Sequence, residues 1–228
     1  VVALKQEEMQ RLAGKAVSLA QRKGVDEVEA FVYQGLTTSV NIERGQINRS
    51  SRIIDRGLGV RAIVSKATGF SYTNVLESEA VIEETVLKAL DSAKASKSDK
   101  DWHGLPTKKA FSSVEGTYDN EIVELDSKGL VKIASTMLDA AEKTDGRVFP
   151  IEGDASASYL CKAVTNSNGV EGFDHGTIIE CSLATIAKGE GEVTPACFEF
   201  NIERKYEMDP EWVGKEAARL AVSALKAK

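Results

Sequence analysis

Asp55-Arg56-Gly57-Leu58-Gly59-Val60-Arg61-Ala62-Ile63-Val64-Ser65-Lys66-Ala67-Thr68-Gly69-Phe70-Ser71-Tyr72-Thr73 opens on the letters of a dinucleotide-binding loop and then withholds the context such a loop needs. Gly57 to Ala62 fits GxGxxA, in which a strand delivers a pyrophosphate to the N-terminus of a helix. Here the charged stretch Arg52 to Arg56 comes before the glycines, and Ile63-Val64 run only into a short polar loop. No helix follows to supply a dipole. The stretch reads instead as a glycine-tolerant strand entry, a hairpin loop over Ser65 to Gly69 in which Gly69 takes positive φ, and a returning strand, Phe70 to Thr73.

Upstream, Met9, Leu12, Ala13, Ala16, Val17 and Ala20 fall at helical spacing within Leu4 to Lys23, and Gly24 stops the run. Val28 to Tyr33, Thr37 to Ile42 and Ile47 to Ile54 are short β-leaning runs, with Arg44-Gly45 as a turn. Downstream, Ser78 caps a helix whose apolar face is Val81, Ile82, Val86, Ala89, Leu90 and Ala93. The first unit is therefore a helix, an antiparallel meander and a second helix.

Lys94 to Lys109 is rich in Lys, Ser and Asp, with Gly104 and Pro106, and reads as a connector. Beyond it Asp126 opens a helix, turn clusters at residues 166–169 and 189–192 punctuate long strands, and Asp209-Pro210 starts a closing helix. Phe198, Phe200 and Ile202 alternate with Glu199, Asn201 and Glu203, so the apolar trio is expected to face a core. The expected class is α+β, with an N-terminal domain at 1–96, a linker at 97–110 and a second α+β unit at 111–228.

The 228 residues are 42% apolar and 28% charged, enough to bury a core. A formal charge of -6 gives phosphate backbones no reason to approach, so direct nucleic-acid binding is disfavoured. Cys161, Cys181 and Cys197 are odd in number and lack CxxC spacing, which fits reduced thiols and a cytoplasmic home. No apolar run reaches membrane-span length, and Val1 to Glu8 turns charged too soon for a secretory signal. A first residue other than Met, and a helical pattern still running at Lys228, lead to the expectation of a trimmed chain.

Catalytic chemistry finds little to attach to. His103 and His175 are far apart in sequence and neither HExxH nor HExxxH is present, so no metal ligand is assigned. His175, in Gly172-Phe173-Asp174-His175-Gly176, is expected in a polar loop. Cys161 sits in a strand-like run and is expected as a small buried apolar group rather than as a thiolate paired with His175. Glu83-Glu84 and Glu190/Glu192 are expected at the surface. No catalytic, cofactor-binding or metal residue is assigned in the chain.

Several segments, in order, resemble the TldD/PmbA family: residues 55–61, 67–73, the helix from Ser78 to Ala95, Asp101-Trp102-His103-Gly104-Leu105-Pro106, Thr165-Asn166-Ser167-Asn168-Gly169-Val170, and Val213-Gly214-Lys215-Glu216-Ala217-Ala218. The resemblance covers essentially the whole chain. It implies the amino-terminal portion of a zinc metallopeptidase whose HExxxH helix lies in a carboxy-terminal domain outside these residues. It further implies an unfolded peptide or small protein as substrate, and a family paralogue or second copy as dimer partner. Asp101 to Pro106 is more similar to the PmbA branch, which lacks the metal motif; the alternative role is a noncatalytic peptide-binding or partner-interaction module. Some family members are described as modulators of DNA gyrase, and the acidic charge argues for an indirect route to any such effect.

Overall fold

The computed structural model describes residues 4–112, 114–225 and 227. In chain order the elements are α1 (Gln6–Arg22), β1 (Glu27–Glu43), β2 (Gln46–Val64), β3 (Ala67–Thr73), α2 (Glu79–Ala95), α3 (Asn120–Glu124), α4 (Ser127–Thr144), β4 (Val148–Asn166), β5 (Glu171–Gly189), β6 (Glu192–Val193), β7 (Cys197–Glu203) and α5 (Pro210–Ser223). The strands run in the order β3-β2-β1-β4-β5-β6, with β7 paired to β5. The fold is α+β. Among the described residues no helix is long and apolar enough to cross a membrane.

The strands β1 and β2, of 17 and 19 residues, replace the shorter runs expected from sequence, whereas β4 and β5, of 19 residues each, are the long strands expected there. The expected breaks at Gln34-Gly35-Leu36 and Asp55-Arg56-Gly57 are not turns. They lie at or beside the places where the chain passes between two compact units, one comprising residues 1–35, 54–114 and 160–175, the other 36–53, 115–159 and 176–228. A glycine or a charged residue interrupts the burial rhythm there without ending the backbone ladder. Each unit thus draws on several separate stretches of sequence.

In the first unit, Met9, Leu12, Ala13, Ala16 and Ala20 of α1 and Ile82, Val86, Ala89 and Leu90 of α2 are buried. Val28, Ala30 and Val32 of β1 and Leu58, Val60 and Ala62 of β2 supply the sheet side of the core at period two. Ser78 Oγ caps α2 by accepting from Val81 N at 3.4 Å.

The β2–β3 hairpin forms where expected, but its turn is Ser65-Lys66, at φ 50° and 66°, and Gly69 lies inside β3. Two residues at positive φ match the twist of the flanking strands. Non-glycine residues tolerate it here because the segment after α2 holds the turn: Ser98 Oγ donates to Ser65 O at 2.7 Å and Asp99 N to Lys66 O at 3.0 Å. Gly69 serves a different need. A Cβ there would lie 2.1 Å from Ala93 N and 2.2 Å from Ala89 O, so α2 is laid directly on the strand backbone.

The second unit packs α4 and α5 on Val40 and Ile42 of β1, Ala155 and Ala157 of β4, and Ile179, Cys181 and Leu183 of β5. Asp126 Oδ1 accepts from Gly129 N at 2.9 Å and Asp209 Oδ1 from Trp212 N at 2.9 Å, the caps expected for these helices. A Cβ on Gly214 would lie 2.2 Å from Met137 O, so glycine sets the close crossing of α5 on α4.

The strand β7 reverses its expected burial. Phe198, Phe200 and Ile202 are 55%, 49% and 51% exposed. Its register on β5 pairs Glu199 with Leu183 and Asn201 with Cys181, so the polar residues share the face of buried side chains. Asn201 Oδ1 accepts from Asp209 N at 2.8 Å, at the start of α5, and its Nδ2 donates to Glu203 Oε1 at 3.1 Å. Alternation reveals two faces; the polar requirement at the helix start selects which one turns inward.

Candidate functional site

The start of β1 carries Glu27, a residue with no motif of its own, and three hydrogen bonds converge on its carboxylate. Trp102 Nε1 donates to Oε2 at 2.7 Å, and Leu105 N and Asn168 Nδ2 donate to Oε1 at 2.8 and 2.9 Å. Asn168 Nδ2 also reaches Leu105 O at 2.9 Å, and Asn166 Nδ2 donates to Pro106 O at 2.8 Å. Two segments remote in sequence, Asp101 to Pro106 and Thr165 to Val170, are thereby fastened to one strand.

The local folding explains the convergence. Asn166 Oδ1 accepts from Asn168 N and Val170 N, both at 3.0 Å, closing the β4–β5 turn on itself. Ser167 pairs with Val28 twice, N to O at 2.8 Å and Oγ from Val28 N at 3.1 Å. Gly104 adopts φ 106°, and a Cβ there would sit 3.2 Å from Glu27 Oε1. Arg61 donates to Glu29 Oε1 at 2.9 Å while its guanidinium lies 5.7 Å from the centre of the Trp102 ring.

Burial pushes the Glu27 carboxyl up, but the hydrogen bonds from Leu105 N, Trp102 and Asn168 outweigh it and hold it below the ordinary glutamate value. The group is an ionised anchor whose accepting oxygens are engaged by the protein. Its chemistry is that of a latch and not of a general base.

The other sequence candidates are not gathered around it as a reaction centre. His103 is exposed in the latched segment. His175 lies within β5 and not in a loop, its ring 5.8 Å from that of Phe173. Cys161 is buried on β4. For Cys181, burial above all and the nearby charge of Asp154 push the thiol up to about 12, leaving it protonated at neutral pH. Gly57 and Gly59 are interior to β2, where a Cβ would meet Thr73 O at 3.3 Å and the Phe70 ring at 3.1 Å. Glu83 and Glu84 lie on α2, paired with Lys23 at 3.1 Å and Lys88 at 2.8 Å. Among the described residues no three or more His, Cys, Asp or Glu side chains are grouped so as to hold a metal ion.

The second unit offers a surface of another kind. On the face of its sheet bearing Phe198 and Phe200, whose rings stack at 5.7 Å, Ser182 Oγ donates to Asp154 Oδ1 at 2.6 Å and Ser156 Oγ to Glu180 Oε1 at 2.9 Å. Asp154, Glu180, Ser182, Phe198, Phe200 and Ile202 line one shallow depression. Sequence reasoning missed both features. Glu27 is one carboxylate in an ordinary alternating strand, and the apolar trio was assigned to the wrong side.

Two family models match the chain: PmbA/TldA metallopeptidase domain 1 over residues 28–96 and the PmbA/TldA metallopeptidase central domain over residues 120–225. An uncharacterised protein of Methanocaldococcus jannaschii is 26% identical over 176 residues, covering 77% of this chain and 39% of the relative. A metalloprotease TldD homolog of Buchnera aphidicola is 23% identical over 168 residues, covering 73% of this chain and 34% of the relative. The chain therefore spans well under half the length of these curated relatives.

Solved structures share the fold. TldE from Thermococcus kodakarensis superposes with a TM-score of 0.82 at 22% identity, covering 93% of this chain and 46% of its own. A candidate modulator of DNA gyrase from Bacteroides thetaiotaomicron gives 0.85 at 20% identity, with 96% and 50% covered. The motif segments that resemble the family are those that build the latch, the hairpin and the α4–α5 crossing. With both family models matching in order over most of its length, the chain belongs to the PmbA/TldD metallopeptidase family and carries its domain 1 and central domain.

Proposed function

We propose that this chain is the noncatalytic amino-terminal region of a TldD/PmbA-like metallopeptidase system, enclosing unfolded peptide substrate and carrying assembly contacts. The metal that activates water is held elsewhere, in a carboxy-terminal domain or in a family partner. The observation that carries the reading is the use made of the family motifs. Asn166, Asn168, Gly69 and Gly214 are committed to fastening segments together, while the Cys181 thiol is protonated. The long strands are the elements suited to receiving extended chains. Reduced thiols fit a cytoplasmic setting, and any effect on gyrase runs through peptide turnover rather than DNA contact.

A second reading, favoured by the segment Asp101 to Pro106, is a PmbA-like subunit without its own metal that binds peptide or partner only. An unstructured reporter peptide tests the division of labour. The 228 residues alone should leave it intact, and the full-length protein mixed with its family paralogue should cleave it in a chelator-sensitive manner. Chelator-resistant turnover by the 228 residues would overturn the proposal. Loss of turnover when the paralogue alone is stripped of metal would select the second reading.

A further inference from the structure

We infer that the outer face of β7 and its neighbours in the second unit is a docking surface for an extended protein segment that alternates apolar and basic side chains. Phe198, Phe200 and Ile202 form an apolar row along β7, each about half exposed. The register sets Phe200 opposite Ser182 and Ile202 opposite Glu180 on β5. The carboxylates of Glu180 and Asp154 are oriented by Ser156 and Ser182, and no Lys or Arg is among the residues lining the depression. Among the described residues neither carboxylate forms an ion pair, so each retains accepting capacity toward a cation.

The two stripes are parallel and adjacent, one apolar and one acidic. An extended segment lying between them sends alternate side chains to either side, apolar over β7 and basic over β5 and β4. Charge complementarity thus selects the occupant. An anionic membrane is repelled by the same carboxylates. Addition of a strand to the free edge of β7 competes with an existing contact, since Phe200 N already donates to Glu199 Oε1 at 3.0 Å. The face, not the edge, is the open element.

The inference stands apart from the peptidase reading, because its readout is binding without turnover. Two fluorescein-labelled nonapeptides, one alternating Val and Lys and one alternating Val and Glu, are titrated with the 228-residue chain by anisotropy. The Val/Lys peptide should bind about tenfold more tightly or better, and lose most of that margin at about 0.5 M salt. Phe200→Ser should weaken it about tenfold. Asp154→Asn combined with Glu180→Gln should bring the two peptides to within about threefold of each other. Equal affinities for the two peptides in the unmodified chain, or binding indifferent to these variants, would overturn the inference. Sedimentation showing a dimer that Phe200→Ser dissolves would overturn it in favour of a second copy. Should Phe200→Ser fail to unfold cooperatively, Ile202→Thr supplies the same test at a residue of equal exposure.

Discussion

The strands β3 and β7 are alike in length and in carrying an exposed aromatic pair two residues apart, Phe70/Tyr72 and Phe198/Phe200. They differ in what lies around them. On β3 the opposite face carries Gly69, pressed against the backbone of α2, and the Phe70 ring rests over Gly59 of β2. On β7 the opposite face carries Asn201, which serves the start of α5, and the rings stand beside Glu180 and Asp154. One strand is fixed by a backbone contact that excludes any side chain. The other is fixed by an amide hydrogen bond and leaves an apolar row beside two acids. Alternating sequence marks two faces in both cases, and the layer behind decides their use.

The sharpest way to break the comparison is Gly69→Ala. The added methyl meets main-chain atoms of α2 at distances no real Cβ occupies, and a helix backbone cannot swing aside as a long side chain can. Chemical denaturation should show a loss of about 3 kcal/mol or more. A loss below about 1 kcal/mol would mean that α2 is not seated on β3 as described.

Next in size is Glu27→Ala, which leaves Trp102 Nε1, Leu105 N and Asn168 Nδ2 without their shared acceptor. The expected cost is about 2 to 3 kcal/mol, with increased proteolysis in the segment Asp101 to Pro106. The pH dependence has a definite sign. Because the folded carboxyl titrates below its ordinary value, its contribution is complete at neutral pH and is lost as pH falls through the depressed folded value. Glu27→Gln should therefore flatten the acid limb of the stability profile. An acid limb unchanged by that substitution would remove Glu27 from the latch.

Asn201→Leu probes the back of β7. It places an apolar group on the face that the sequence pattern had assigned to water, yet removes the acceptor of Asp209 N. A loss of about 1 kcal/mol is expected by thermal melting. Stabilisation by the same substitution would say that this face wants an apolar layer and that the hydrogen bond is incidental.

Helices and their caps were legible in the sequence because Ser78, Asp126 and Asp209 stand before apolar faces of the correct period. The hairpin at Ser65-Lys66 was legible as a hairpin, but its turn was placed on Gly69, since glycine is the usual bearer of positive φ. The long strands β4 and β5 were legible as such, but the lengths of β1 and β2 were not. Gly35 and Asp55-Arg56 interrupt the hydrophobic rhythm where the chain changes unit, and local pattern cannot distinguish that from a turn. The latch was half legible. Asp101 to Pro106 and Thr165 to Val170 stood out by resemblance, whereas Glu27 is recognised only through contacts to residues 78 and 141 positions away.

The most direct test of β7 as an open docking face and not a core strand is guanidinium denaturation of Phe200→Ala in the 228-residue chain. Loss of a half-exposed ring from a surface row should cost about 1 kcal/mol or less, with the cooperativity of unfolding unchanged. A loss of about 3 to 5 kcal/mol, the usual cost of emptying a core aromatic site, would contradict it and return Phe198, Phe200 and Ile202 to the interior.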